Sequence, residues 1–130
     1  MNGNHFLLDT NIIIGLFAND YGVVENIKSH TRIILLPSIV LGELFYGAEL
    51  SGKKESNKKR IEELARITPI VSCDIDTARI YGVVKSQLKF KGTPIPENDI
   101  WIAALSLQHE LTLVTRDNHF EHIDMKLERW

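Results

Sequence analysis

Short apolar runs recur along the chain, separated by longer segments in which apolar residues return at helical spacing. Runs of this length predict buried strands at 6–8, 32–36 and 111–115, with shorter strands within 68–73 and near 125–127. The intervening segments predict helices starting at residue 10 and over 23–29, 39–50, 58–66, 76–90 and 98–110. Because strands alternate with helices, we expect an α/β fold built on a mostly parallel sheet.

Polar residues at the ends of these segments predict where the helices begin, because short polar side chains cap the free backbone N–H groups of a first turn. Asp9 or Thr10 is expected to cap the first helix, Ser38 the helix over 39–50, and Asp76 the helix over 76–90. The polar residues 51–57 predict a turn.

Four acidic residues stand in apolar or small-residue surroundings: Asp9, Glu43, Asp99 and Asp117. Glu43 is the only charged residue within 33–48, and no lysine or arginine lies three or four residues away to pair with it. Burying an unpaired carboxylate costs several kcal/mol, so each acid must be exposed, paired or bound to a cation.

A shared cation explains the four acids together better than four separate roles as helix caps or turn residues. Asp9 and Asp117 each follow a predicted strand directly, and parallel sheets bind ligands at the carboxyl ends of their strands. A cluster of carboxylate oxygens suits Mg²⁺ or Mn²⁺.

Composition favours one globular unit, because 44% of the 130 residues are hydrophobic and 25% are charged. We expect a single domain spanning residues 1–130. The lone Cys73 cannot form a disulfide within the chain, which is compatible with a reducing compartment. The sequence shows no secretory leader and no apolar run of about 18 residues, so a cytoplasmic protein without membrane association is expected.

Net charge gives no global attraction to nucleic acid, since its formal value is −2. Clustered acids would nevertheless hide a local basic surface in that sum. Two basic segments have either of two roles, a solvated helix face or a contact to a phosphate backbone. They comprise Lys53, Lys54, Lys58, Lys59 and Arg60, and then Lys85, Lys89 and Lys91.

Other common catalytic arrangements find little support in the sequence. Neither a GxxxxGK[ST] phosphate loop nor a GxSxG nucleophile motif occurs. The late histidines His109, His119 and His122 do not repeat a zinc-binding spacing.

Four ordered segments of the chain resemble PIN-domain ribonucleases, and most closely the VapC-type toxins of toxin–antitoxin pairs. The resemblance spans nearly the whole chain. It is carried by Leu8-Asp9-Thr10-Asn11, Gly42-Glu43-Leu44, Asn98-Asp99-Ile100-Trp101-Ile102-Ala103-Ala104 and Val114-Thr115-Arg116-Asp117-Asn118-His119-Phe120.

The resemblance implies a three-layer α/β/α fold with a parallel five-stranded sheet in the order 3-2-1-4-5. It implies an endoribonuclease that uses Mg²⁺, with Mn²⁺ as a substitute, and that leaves 5′-phosphate and 3′-hydroxyl ends. It also implies a homodimer held inactive by a small cognate antitoxin.

The resemblance also assigns roles to particular residues. Asp9, Glu43 and Asp99 fall on the three central metal-binding acids, and Asp117 falls on a more variable fourth acid. Thr10 and Thr115 match hydroxyl positions that line the site, Asn98 is a possible neighbour, and Asn11 is expected to be structural. Arg116 is expected either to touch the phosphate or to pair with an acid.

Several alternatives to a toxin remain open from the sequence. A PIN-domain nuclease of RNA processing or a non-cleaving α/β binding module would share the same motifs. A dehalogenase-like phosphatase needs an aspartate where Asn11 stands, and a receiver domain needs a lysine that 115–117 does not supply. Transfer, ribosomal and messenger RNA are all open as substrates.

Two helices are expected to carry more apolar surface than the sheet can bury, and spare surface of this kind favours a protein interface. We expect a homodimer, and an antitoxin segment that lies in the active-site groove with a basic side chain reaching the acids. Their residues are Leu41, Leu44, Phe45 and Tyr46 on one helix and Trp101 and Leu105 on the other.

Overall fold

A five-stranded parallel sheet forms the centre of the protein, in a computed structural model that describes residues 4–29 and 32–130. The strand order is β3-β2-β1-β4-β5, which confirms the predicted topology. The strands are β1 His5–Leu8, β2 Ile33–Pro37, β3 Ile70–Val71, β4 Thr112–Val114 and β5 Leu127–Glu128.

Six α-helices are formed by the described residues. They are α1 Thr10–Phe17, α2 Tyr21–Ile27, α3 Ser38–Glu49, α4 Lys54–Ile67, α5 Ile75–Lys91 and α6 Glu97–Gln108. A short 3₁₀ helix over Asn118–His122 follows β4 and was not predicted from the sequence. None of the helices in the described chain is both long and apolar enough to cross a bilayer.

The strand order places the helices on both faces of the sheet. Parallel crossovers are right-handed, so the chain covers one face while it moves from β1 out to β3 and the opposite face while it returns to β4 and β5. In agreement, α3 packs against α1 and α4, whereas α5 packs against α6. The three-layer arrangement buries both sides of the central strands β1 and β4.

The core lies between these layers and is built from apolar runs of the central strands and of α6. Leu7 of β1 and Leu113 of β4 are fully buried. Ile102 and Leu105 of α6 are also fully buried, and Leu44 of α3 is buried too, so Leu44 and Leu105 belong to the core and not to a spare apolar surface as the sequence suggested.

Three predicted helix starts were wrong. Helix α4 begins at Lys54, within the segment predicted to be a turn. Ser38 is the first residue of α3 and makes no side-chain cap, because Pro37 occupies the capping position. Helix α5 is capped by Asp74, not Asp76, since the Asp74 carboxylate accepts from the Thr77 N–H while the Thr77 hydroxyl accepts from the Asp74 N–H.

Candidate active site

Asp9 lies at the carboxyl end of β1, where it caps α1, and it is 5% exposed. One carboxylate oxygen accepts the Thr10 N–H at 2.8 Å. The other accepts the buried Thr115 hydroxyl at 2.7 Å, across the edge between β1 and β4. Both oxygens are therefore held in place by the two chain segments that leave the central strands.

Thr115 and Asn11 connect this carboxylate to the segment that follows β4. The Thr115 hydroxyl oxygen accepts the Asp117 N–H at 3.0 Å. The Asn11 side chain accepts the Arg116 N–H at 3.2 Å and lies 3.4 Å from both the Thr115 hydroxyl and Asp9 Oδ2. These bonds fix the backbone that presents Asp117, and the structural role predicted for Asn11 agrees with them.

Asp99 and Asp117 meet at the side chain of His119. Asp99 is in the first turn of α6 and is 9% exposed, while Asp117 caps the 3₁₀ helix. His119 Nδ1 lies 3.0 Å from Asp99 Oδ2 and 3.0 Å from Asp117 Oδ1. One possible ligand atom from each of these three residues falls within 4.8 Å of the others.

Glu43 approaches from α3 and is half-buried. Its Oε1 atom and the Thr10 hydroxyl are both buried and complete no hydrogen bond of good geometry with a described residue, although Thr10 lies close enough to lower the pKa of Glu43. A buried carboxylate oxygen without a partner is costly, so Glu43 fits a site that a cation completes.

The acids affect one another electrostatically, although burial dominates. Loss of solvation raises the pKa of Asp9, Glu43 and Asp99 above the ordinary carboxyl values. Repulsion from Asp9 adds to the rise at Glu43 and at Asp99, and the Asp117 charge adds to the rise at Asp9. The four predicted acids therefore interact electrostatically at the edge expected for a ligand site, although among them only Asp99 and Asp117, together with His119, bring possible ligand atoms within 4.8 Å of one another.

No lysine or arginine forms an ion pair with any of these acids within the part of the chain that is described. Burial and repulsion both raise the pKa of Asp9, Glu43 and Asp99, and His119 offsets only part of that rise at Asp9 and Asp99. Carboxylates in this state fit a hard divalent cation such as Mg²⁺ or Mn²⁺.

Two predicted neighbours take no part in this cluster. Arg116 turns away and forms a bidentate pair with Asp20, with both nitrogen–oxygen distances 3.0 Å. Its third donor reaches the Trp130 carbonyl at 2.7 Å, so Arg116 joins α2 to the chain after β5 instead of touching the site. Asn98 is exposed and makes no hydrogen bond with a site residue among those described.

The two basic segments are partly neutralised by nearby acids. Lys54 and Lys58 both pair with Glu49, at 2.9 and 3.0 Å. Lys85 pairs with Glu97. These contacts favour the solvated helix face over a dedicated phosphate contact, except at Arg60, which lines a groove that leads away from Glu43.

His119 is the site residue that the sequence did not reveal. Its spacing matches no zinc motif, and the 3₁₀ helix that orients it was not predicted. The usable signal was its position two residues after Asp117, because an aspartate in a turn often accepts the backbone N–H two residues on and so holds that residue beside its carboxylate.

A family model for the PIN domain matches residues 6–126 of the chain. Ribonuclease VapC2 of Rickettsia felis is 32% identical over 130 residues, covering 96% of this chain and 97% of that protein. The tRNA(fMet)-specific endonuclease VapC of Salmonella typhimurium is 32% identical with the same coverage. The crystal structure of VapBC2 from Rickettsia felis bound to a promoter DNA fragment contains a chain that superposes with a TM-score of 0.89 at 30% identity, covering 97% of this chain and 98% of that one.

The sheet order, the acidic edge and these matches define the class: the chain belongs to the PIN-domain family. Within that family it belongs to the VapC-type ribonucleases, as its relatives show. The resemblance drawn from the four sequence motifs is thereby confirmed.

Proposed function

We propose that this protein is a Mg²⁺-dependent endoribonuclease and the toxin of a VapBC-like pair, with Asp9, Glu43, Asp99 and Asp117 as its metal-binding acids. The observation that carries the proposal is that these acids repel one another at the carboxyl edge of β1 and β4 without a lysine or arginine partner among the described residues, and that Asp99 and Asp117 bring ligand atoms together there. The VapC ribonucleases that are about one-third identical over nearly the full chain support the reaction class.

The residues explain why a cation is required before RNA can bind. A phosphodiester backbone is an anion, and ionised carboxylates at the site would repel it. A bound Mg²⁺ would neutralise part of this negative charge and would lower the pKa of a water molecule bound to it. Asp9 presents an oxygen whose direction is set by Thr115, and Glu43 presents a buried oxygen beside the Thr10 hydroxyl.

The proposed reaction is a hydrolysis. The oxygen of a water forms a bond to phosphorus, the bond from phosphorus to the 3′ oxygen breaks, and that oxygen takes up a proton. The products are a 5′-phosphate and a 3′-hydroxyl, and no covalent intermediate with the protein is needed.

Cleavage by site variants tests this function. We expect Asp9→Asn and Asp99→Asn to reduce RNA cleavage by at least about a hundredfold, because activation of water and charge neutralisation both depend on these carboxylates. The substrates are purified transfer, ribosomal and messenger RNA, incubated with Mg²⁺, with Mn²⁺ or with EDTA. Far-UV circular dichroism should remain that of the wild type.

A chemically matched control is Asp124→Asn, which makes the same substitution at an exposed acid away from the cluster. This variant should cleave RNA at the wild-type rate. Cleavage by Asp99→Asn at the wild-type rate would contradict the site assignment, and cleavage that persists in EDTA would contradict the metal dependence.

A small antitoxin is the proposed partner. Chains similar to this one occur in DNA-bound VapBC structures from Rickettsia felis and Salmonella typhimurium. In this chain a groove runs from Glu43 and Thr10 along α1, α3 and α4, and Ile14, Phe17 and Arg60 line it. Ile14 is 57% exposed, so the groove offers apolar contact area directly beside the acids. An extended or helical segment lying there would cover the site, and a basic side chain from it would pair with the acids.

A homodimer is proposed as well, because large apolar side chains remain on the surface away from this groove. Phe90 of α5 is 90% exposed and Val83 of the same helix is 55% exposed. Light scattering coupled to size-exclusion chromatography should give twice the mass of the chain, and a mass equal to one chain at micromolar concentration would contradict this assembly.

A further inference from the structure

The His119 imidazole occupies a central place among the acids. Its Nδ1 atom lies 3.0 Å from a carboxylate oxygen of Asp99 and 3.0 Å from one of Asp117. The two acids come from different elements, α6 and the turn after β4. The His119 side chain therefore contacts carboxylates from both α6 and the turn after β4.

The fold prepares this position instead of leaving it to a loose surface side chain. Asp117 caps the 3₁₀ helix by accepting the His119 N–H at 2.9 Å. The next residue, Phe120, is fully buried and anchors the same short helix in the core. The backbone of His119 is therefore held from both sides, while 47% of its side chain remains exposed to solvent and to a ligand.

The distances suit a ligand set for a small divalent cation. Neighbouring ligands of an octahedral ion with bonds of about 2.1 Å lie about 3.0 Å apart. Nδ1 has this separation from both carboxylate oxygens, and the donor atoms of the three residues fall within 4.8 Å of one another. Without a cation the same separations fit an Nδ1–H group that donates to the carboxylates; with its proton on Nε2 instead, the imidazole offers a free electron pair on Nδ1 to a cation.

We propose that His119 is a nitrogen ligand of the cation that Asp99 and Asp117 bind, and that it makes this site prefer Mn²⁺ to Mg²⁺. The proposal deepens the proposed metal-dependent nuclease and rests on it. Magnesium takes oxygen ligands almost exclusively, whereas affinity for mixed nitrogen and oxygen sites rises along the transition series, which begins at Mn²⁺. A site of acids alone would lack this source of discrimination.

Electron paramagnetic resonance of bound Mn²⁺ tests the ligand directly. The full-length protein is titrated with Mn²⁺ alone, and electron spin echo envelope modulation then reports whether a nitrogen-14 nucleus is coordinated. We expect modulation typical of a bound imidazole in the wild type and its loss in His119→Gln. Mn²⁺ affinity should fall by about 10–100-fold, the range observed when supporting groups of metal sites are removed, while Mg²⁺ affinity measured by competition should change much less.

The matched control is His122→Gln, because His122 lies in the same 3₁₀ helix but outside the group of possible ligands. This variant should keep the nitrogen signal and the wild-type ratio of Mn²⁺ to Mg²⁺ affinity. Wild-type protein that binds Mn²⁺ without nitrogen modulation, or an unchanged affinity ratio in His119→Gln, would overturn the proposal for His119. The nuclease itself would then still stand if RNA cleavage depended on Asp9 and Asp99, whereas absence of both Mn²⁺ binding and cleavage would overturn the proposed function too.

Discussion

Individual side chains at this site are held by bonds from the backbone turns that follow β1 and β4. Asp9 accepts one hydrogen bond from each turn, from the Thr10 N–H and from the Thr115 hydroxyl. The Thr115 hydroxyl oxygen in turn accepts the Asp117 N–H. Burial raises the pKa of Asp9 and of Asp99, and a bound cation or a proton would relieve the cost of burying their charges. A preorganised acidic site therefore lowers stability until its cation is bound.

This reasoning predicts that Asp99→Asn without metal melts at a higher temperature than wild type. A carboxyl whose pKa is raised in the folded state costs nothing below its unfolded pKa, because both states are then protonated. As pH rises through the unfolded pKa and then the folded one, the unfolded chain ionises first and the wild type loses stability. The difference in melting temperature should thus be near zero below about pH 4 and should grow toward neutral pH.

Calorimetry in EDTA across this pH range measures the effect, and Asp124→Asn serves as the control because its carboxylate is exposed. Added Mg²⁺ should raise the melting temperature of the wild type above that of Asp99→Asn, because binding of the cation stabilises the folded state. Equal melting temperatures at every pH, with no response to Mg²⁺, would show that Asp99 does not belong to a strained acidic site.

The acids could be found from the sequence because a lone charge in an apolar segment needs an explanation, and Glu43 within 33–48 is the clearest case. The partners of the acids could not be found in that way. Thr115 and Asn11 act through contacts between residues about one hundred positions apart. His119 depends on a 3₁₀ helix whose cap is itself a site residue. Such pairings follow from the three-dimensional fold and leave no local pattern.

At the scale of the elements, alternation of apolar and helical segments was sufficient to predict the parallel sheet, while helix boundaries depended on tertiary contacts. Residues 54–57 read as a polar turn, yet they form the first turn of α4, where Lys54 and Lys58 reach Glu49 at the end of α3. The apolar residues of α6 were partly read as a free surface. Leu105 is buried in the core, and Trp101 is half-buried because its ring stacks on Tyr81 of α5.

The burial of α6 predicts a large loss of stability for Leu105→Ala. Leu105 is fully buried, so truncation leaves a cavity, and such changes cost about 2–5 kcal/mol. Leu50→Ala is the matched control, because Leu50 is 71% exposed after α3 and its truncation should change the free energy of unfolding by no more than about 0.5 kcal/mol. Urea unfolding measures both values. A loss near zero for Leu105→Ala would contradict the position of α6 in the core.

For the whole molecule, the proposed toxin activity and its control by an antitoxin meet in one groove. Glu43 and Thr10 belong both to the acidic site and to the groove lined by Ile14 and Phe17. A segment that fills this groove necessarily lies over the acids, so binding and inhibition should be the same event. The exposed position of Ile14 offers a way to weaken binding without altering the acids.

We therefore predict that Ile14→Asp remains a nuclease but escapes its antitoxin. Expressed alone in a bacterial host, the wild type and Ile14→Asp should both arrest growth, whereas Asp9→Ala should not. Co-expression of the small gene adjacent to this one should restore growth with the wild type and with Ile75→Asp, a matched control at an exposed position at the start of α5. It should fail with Ile14→Asp, because a charge in the apolar groove opposes burial. Restored growth with Ile14→Asp would exclude the groove as the antitoxin-binding site. If cells accumulated abundant active wild-type enzyme and still grew, the protein would not be a toxin, although it could still be a nuclease.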